Sequence, residues 1–543
     1  APGTRMGLHD PLVGTTFAHF QAKPPGVSHA DGVIAGMLTV TPTHRITVSF
    51  VVEVGAVAGR TVSVTNEACV YPVGGTLGYC LWSNEVANVL SQADVSWSCL
   101  PHYAEPEELL QLSRAAGLTS MSSADLSDDG FPDVILARSI WQSSEVFVLD
   151  VLINDRRGNL VWGTSDIFSG TVPAVQDPRE IVIAEFNGDG RPDIFVADEG
   201  MDADPWPGYW NTLVLSAPGG KLVDASGNLP QQHAFTHSAA AADIDGDGDT
   251  DLYVGNIGGE NPIPPQVWLN DGSGGFSVAE GRLPITQTDL FLNTYTTSEF
   301  VDANNDTSPD LILGDGGDDL GGGPDSVVLI NDGTGRFSLL ENAIPAKPFA
   351  ATDIALDIDA ADVNDDGYQD LFVVFTKGDP FYVGRYIQIL INNQDGTFRD
   401  ETSTRLPQSD SNDPWIVWVD LLDLNMDGDL DIVASPIDGE EPLFYLNNGD
   451  GLFSPLPNAF NIEHPLLFTF LDIDQDGYVD ILWSYPSCEG GTCPEAHFIV
   501  RALGCPVFLP SVSLSNELVQ LGVNTPIVIP SFNAQLPKCF ATD

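Results

Sequence analysis

Seven short stretches of this chain place oxygen-bearing side chains at alternate positions around a turn. The clearest is Asp243-Ile-Asp245-Gly-Asp247-Gly-Asp249-Thr-Asp251. Carboxylates at positions 1, 3, 5 and 9, with glycine at position 6, describe a tight loop wrapped around a hard cation. Ca²⁺ takes roughly 6–8 oxygen ligands at about 2.3–2.6 Å, and alternate side chains of a turning loop point inward to supply them. Glycine permits the sharp backbone turn that inward carboxylates require. The spacing is not that of an EF-hand, because the ligand at position 12 is missing and the loop closes at position 9.

The side-chain ligands at positions 1, 3, 5 and 9 are Asp125, Ser127, Asp129 and Asp133 in loop one, and Glu185, Asn187, Asp189 and Asp193 in loop two. Loop three supplies Asp243, Asp245, Asp247 and Asp251, and loop four Asp302, Asn304, Asp306 and Asp310. Loops five, six and seven supply Asp362, Asn364, Asp366 and Asp370; Asp423, Asn425, Asp427 and Asp431; and Asp472, Asp474, Asp476 and Asp480. Starts are 60, 58, 59, 60, 61 and 49 residues apart, a register that composition does not produce. Seven Ca²⁺ are therefore expected. Occupancy should be weakest in loop one (Ser127), loop two (Glu185 at position 1) and loop four (Thr307 in place of glycine).

The elements that must carry such loops follow from the flanking sequence. In the third repeat, Ser238–Asp243 leads into the loop and Asp251–Gly255 leaves it. Gln266–Leu269 and Phe276–Ala279 then flank an Asn-Asp-Gly hairpin signal. Later repeats have the same order, as in VVLINDGTGRF, IQILINNQDGTF and LFYLNNGDGLF. Four strands per repeat, about 60 residues long and repeated seven times, predict a seven-bladed β-propeller over 118–515. The last repeat is expected to find all four strands within its own sequence, ending with PVFLPSVSL. Residues 105–117 (EPEELLQLSRAAG) predict a short helix, 31–104 a small β-sandwich-like domain, 1–30 an extended arm and 516–543 a β-rich tail.

The DxDxDGxxD loop, the hydrophobic strand after it and the Asn-Asp-Gly-x-Gly-x-Phe turn resemble FG-GAP/VCBS repeats. Such repeats form the propellers of integrin α subunits, of certain fungal lectins and of many secreted bacterial proteins. The resemblance implies Ca²⁺ between the first two strands of each blade. It also implies a position-7 ligand, carried here by Phe131, Arg191, Asp249, Ser308, Tyr368, Asp429 and Tyr478.

A balance of 20 basic against 77 acidic residues gives a net charge of −57, which repels nucleic acid and anionic membrane. No run of 18 apolar residues predicts a membrane span. The seven cysteines favour an oxidising compartment, with Cys488–Cys493 as the first disulfide expected. The chain begins at Ala1 and is expected to be a secreted protein from which a signal peptide has been removed.

In a four-strand meander, the metal loops and the hairpin turns share one face. The opposite face carries irregular loops, the usual location of binding residues. There Trp206, Tyr209, Trp210, Phe381 and Tyr382 stand among carboxylates, the combination that sugar sites use, although such rings also pack blade tops. His233 and His237 offer a metal or acid/base pair, or a structural interblade contact; Asp357 and Asp359 offer a carboxylate pair. The functional expectation is a secreted, Ca²⁺-stabilised propeller that binds glycan, matrix or its own copies. The alternatives are a filament or surface-layer subunit and a polysaccharide lyase or hydrolase. The enzyme reading requires a convergent His/Tyr/Arg or two-carboxylate cluster at the axis of the irregular face.

Overall fold

The computed structural model describes residues 116–500 apart from 260–261, 285–294, 318–324, 349, 351, 407, 409–411, 426, 437–442, 457–466 and 487–494. Outside that range it describes strands only: 3–6, 8–9, 27–30, 33–39, 68–70, 79–81, 107–112, 512–521 and 525–534. The chain forms two bodies, residues 103–504 and residues 1–102 with 505–543.

Residues 103–504 form an all-β propeller. Six blades are four-stranded antiparallel meanders, consecutive in the chain except that Phe147–Val148 intervenes in the first and pairs with Ala174–Val175. Their inner strands are Gly117–Ala124, Pro178–Ala184, Thr236–Ala242, Tyr295–Val301, Ile354–Ala361 and Ile416–Leu422. Seven self-contained blades were expected, and six are present. A further four-stranded sheet contains Leu467–Leu471, Asp480–Pro486 and Glu495–Val500, but its outer strand is Glu107–Leu112 from upstream of the first blade. The helix expected at 105–117 is thus a strand. A six-residue run with three leucines fits either period, and the open edge of Glu495–Val500 provides the backbone partner that decides between them. The segment expected to end the last repeat pairs elsewhere: Val512–Leu521 forms a hairpin with Thr525–Ala534.

The second strand of each contiguous blade is buried along its length, as in Asp193–Asp198 and Asp310–Asp315, which explains its continuous apolar sequence. The core lies between blades. Phe195 and Leu213 of the second blade pack with Leu252, Val254 and Trp268 of the third, and the Phe195 and Trp268 rings meet edge to face. Inner strands of adjacent blades are not paired by backbone, so side chains satisfy their axis-facing groups. Glu180 accepts from the Ala239 amide, Asp357 from Val419 and Asp359 from Leu421, while Thr296 donates to the Ala355 carbonyl. Ser123 donates to the Phe470 carbonyl and so joins the composite sheet to the first blade.

Every contiguous blade has the same irregularity. Its inner strand skips one residue near its start, at Thr119, Arg179, His237, Thr296, Leu356 and Val417. A bulge at this point bends the strand and re-aims one side chain.

In the other body, strands 3–6, 8–9 and 27–30 share one sheet with 33–39, 68–70 and 79–81. The sheet therefore crosses the boundary expected at residue 30. Its register sets Cys69 opposite Cys80. The strands expected at 45–54, 60–65 and 95–100 lie outside the described residues, as do Cys488 and Cys493; no disulfide is found among the described residues. No described helix is long and apolar enough to cross a membrane.

Candidate functional site: the acidic loops and the axial mouth

All seven acidic loops connect the first and second strands of their sheets, and five of them share one hydrogen-bonding scheme at position 1. In loop one, the position-1 carboxylate of Asp125 accepts from the amides of Asp129 and Gly130. Asp302, Asp362, Asp423 and Asp472 do the same in loops four to seven. The position-5 aspartate accepts from the position-7 amide in every loop, from Phe131 in loop one to Tyr478 in loop seven. Each position-7 residue is thus held directly beside the position-5 carboxylate.

Position 9 does something the spacing does not reveal. Asp133, Asp193, Asp251, Asp310, Asp370, Asp431 and Asp480 are all fully buried. Asp251 accepts from the Ile244 amide with one oxygen and from the Asn270 amide with the other. Asp310 and Asp431 repeat this arrangement. Burial pushes Asp133 and Asp193 up, and Asp251, Asp310, Asp370 and Asp431 to about 7, against hydrogen bonds that pull them down. Position 9 therefore ties the loop to the third strand, and any metal contact from it comes in addition to that role.

The asparagine of the hairpin turn ties each blade to the one before. Asn270, Asn331, Asn392 and Asn447 donate to the position-2 carbonyl of the preceding loop, at Phe186, Ile244, Ala303 and Val363. Asn154 does so to Ile473 of loop seven, at 2.7 Å. Loops and turns share one face, as the meander requires: a Cβ on turn Gly272 would lie 2.5 Å from the Asp249 carboxylate.

The loops differ in what they leave for a cation. In loops three and seven, Asp243, Asp245 and Asp247, and Asp472, Asp474 and Asp476, bring oxygens within 4.8 Å of one another. Oδ1 of Asp245 is buried and has no hydrogen-bond partner. An orphaned anionic oxygen facing two more carboxylates is the environment that a hard cation satisfies, so the residues of loop three fit Ca²⁺. In loop two, Arg191 lies against Asp189 and 3.7 Å from Asp128. In loop one, Arg156 holds Asp129 at 2.7 Å. Loop four carries its strain in the backbone: Thr307, where glycine was expected, sits at φ +74°.

The aromatic residues occupy the other face. Trp206 is 43 % exposed, Trp210 40 % and Phe381 56 %. Trp210 packs edge-on against His233 with Tyr209 alongside; Phe381, Tyr382 and Trp415 form a second stack. His233 and His237 do not form a pair. His233 belongs to the Trp210 stack, whereas His237 makes a 2.7 Å contact with the Thr296 carbonyl through Nδ1. Asp357 and Asp359 bind neighbouring backbone, as described above.

Three arrangements are not legible in the sequence, although Asp357, Asp359 and His237 stand out there. The first is a row of carboxylates along the axis: burial raises Glu180, Glu299 and Asp420 to about 8, Asp357 to about 7 and Asp359 to about 6. The second is a cavity of about 650 Å³ between Glu180, the Ala239–Ala242 run and Glu299, which the small alanines leave open. The third is a polar cluster at the mouth, formed by Asp177, Arg179, Glu199 and His237. Asp177 and Glu199 flank the paired ends of Pro178–Ala184 and Asp193–Asp198, the Glu199 amide donating to the Asp177 carbonyl at 3.1 Å. Burial pushes Glu199 well above the ordinary carboxylate range. A further available signal was Arg179 itself, a scarce cation at the start of an inner strand.

A family model for the FG-GAP-like repeat matches residues 185–254, 362–434 and 423–483. With the blades described above, this defines the class: a β-propeller built on acidic-loop repeats. The chain is an FG-GAP-repeat β-propeller. Among solved structures it is similar to an Agrocybe aegerita lectin described as recognising non-reducing terminal N-acetylglucosamine. That match has 16 % identity and a TM-score of 0.39, covering 72 % of this chain and 87 % of the lectin. It is also similar to a Penicillium chrysogenum α-L-arabinanase, with 11 % identity, a TM-score of 0.38, and 74 % and 99 % coverage. The Dos1 propeller gives 9 %, 0.38, 75 % and 96 %. No curated protein matches the chain.

Proposed function

We propose that this protein is a secreted, Ca²⁺-stabilised propeller that binds extracellular glycan or protein through the face opposite its acidic loops. The composite sheet is inferred to close the ring as a seventh blade. The observation that carries the binding reading is the set of exposed rings, Trp206, Trp210 and Phe381, standing among carboxylates on that face. A ring face covers the C–H surface of a pyranose while carboxylates accept its hydroxyls, and aromatic anchors concentrate binding energy. Ca²⁺ would be held by positions 1, 3 and 5, most tightly in loops three and seven. It would neutralise carboxylates that otherwise repel, and so make the loop face rigid. The Trp206→Ala/Trp210→Ala double variant, tested on a glycan array, should lose binding with Ca²⁺ content unchanged. Binding that survives the double change and disappears on removal of residues 1–30 or 516–543 would move attachment to the termini and favour self-assembly.

A hydrolase is the second reading, favoured by the convergence of Asp177, Glu199, Arg179, His237 and Tyr382 at the axis. Release of reducing ends from polysaccharide, abolished by Glu199→Gln, is its test.

A further inference from the structure

We propose that the axial mouth around Glu199 is a pocket for one neutral saccharide unit, the point at which the glycan reading is realised and on which it depends. Glu199 is 7 % exposed, and its carboxyl accepts no hydrogen bond from a described residue; Nε2 of His237, an imidazole that burial and the neighbouring Arg179 hold neutral, lies 3.8 Å away. A carboxyl so placed lacks a partner that a ligand hydroxyl supplies.

Its neighbours are aimed at the same space. Arg179 and His237 are the bulge residues of the second and third blades, and the bulge is what turns a strand side chain out of the alternating pattern. Arg179 lies within electrostatic reach of Glu199, Tyr382, Asp177 and Asp202, groups drawn from the second and fifth blades. Asp202 is in turn held by Nε1 of Trp141 at 3.2 Å, and Trp141, from the first blade, is 73 % exposed. Four blades thus contribute to one mouth: a fixed donor in Arg179, acceptors in Asp177 and Asp202, Glu199 able to do either, and rings at the rim.

The balance of groups selects the ligand class. A single guanidinium among Asp177, Asp202 and Glu199 leaves no surplus of positive charge for a uronate, sulfate or phosphate. A strongly basic ligand would have to displace Arg179 from the same carboxylates. A neutral ring with several hydroxyls satisfies donor and acceptors together, and the exposed Trp141 offers an apolar face for its C–H side.

The test is calorimetric titration of the full chain in Ca²⁺ buffer with methyl glycosides of glucose, galactose and mannose and their β-linked disaccharides. Glu199→Ala and Arg179→Ala should each weaken the best-binding saccharide at least tenfold, while Glu199→Gln stays within threefold because an amide can also donate and accept. Unchanged affinity in both alanine variants, with melting temperature retained, overturns the pocket and leaves the face-level reading intact. Absence of binding by the wild-type chain to these saccharides overturns the pocket, and absence across the glycan array overturns the broader reading. Should the alanine variants fail to fold, hydrogen exchange of the wild-type chain decides. Protection by the saccharide at 177–182 and 199–204 supports the pocket, and protection confined to other segments overturns it.

Discussion

Loops two and three are built on the same backbone and differ in how their charge is neutralised. Loop three gathers Asp243, Asp245 and Asp247 and leaves one buried Asp245 oxygen without a partner. Loop two has Glu185 at the first position, whose carboxylate turns back to accept from Asn187, Gly188 and Asp189. It closes its anionic centre with Arg191, which also donates to the Ala217 carbonyl at 2.7 Å. Loop three has a guanidinium at its edge too, Arg282 at 3.8 Å from the other Asp245 oxygen, but it stands against three converging carboxylates, whereas Arg191 contacts Asp189 directly. The same turn is thus closed by an internal guanidinium in one blade and left suited to an external cation in another. Repetition of a motif fixes the backbone hydrogen bonds of a loop; whether it needs a metal is decided by the few side chains that face its centre.

Removing the metal should have the largest effect. Binding to the native state alone stabilises by about 2.7 kcal/mol per site at 100 times the dissociation constant, so excess chelator should lower the melting temperature steeply. An unchanged melting curve would break the account of loop three. Next in size is a paired substitution: Asp245→Asn should remove one tightly held Ca²⁺ by elemental analysis, whereas Asp189→Asn should remove none. Arg191→Gln sharpens the contrast from the other side, and is expected to raise Ca²⁺ uptake by loop two at the same free concentration.

A smaller effect concerns pH. Glu180, Glu299 and Asp420 titrate near 8 in the fold, well above their unfolded values, because burial disfavours the charged form. A carboxyl raised in this way contributes stability that is full below about pH 4 and is lost as pH rises to about 8. Metal-depleted protein should therefore melt at a lower temperature at pH 8 than at pH 5.5. The Glu299→Gln/Asp420→Asn variant should flatten that slope, and an equally steep slope in the variant would count against an axial origin. The smallest effect is Thr307→Gly, expected to stabilise by about 1 kcal/mol through relief of a left-handed backbone. Thermal unfolding of the two chains would show it.

The sequence declared the acidic loops openly, because every residue of that motif sits within nine positions and serves the same local turn. The hairpin asparagines were visible as turn signals, but their second task, bonding the preceding loop across about 85 positions as Asn270 does to Phe186, was not. Spacing points to position 9 as a metal ligand but does not show its second task, the buried tie to the third strand, because carboxylate spacing says nothing about burial. The closing strand at Glu107–Leu112 was misread as a helix because its partner, Glu495–Val500, lies at the other end of the propeller. The mouth was invisible for a related reason: Asp177, Arg179, Glu199, His237 and Tyr382 meet only once the ring exists, and the bulges that aim two of them leave no local sequence signature. The aromatic residues of the irregular face were found because connection length alone marks that face as the variable one.

The most direct test of the central claim is a count of bound Ca²⁺ by native mass spectrometry at rising free concentration, on the wild-type chain and on Asp245→Asn/Asp474→Asn. The account predicts two ions bound first and up to about seven at millimolar Ca²⁺, with those first two lost in the double variant. A double variant that still binds its first two ions at the wild-type concentration would contradict it.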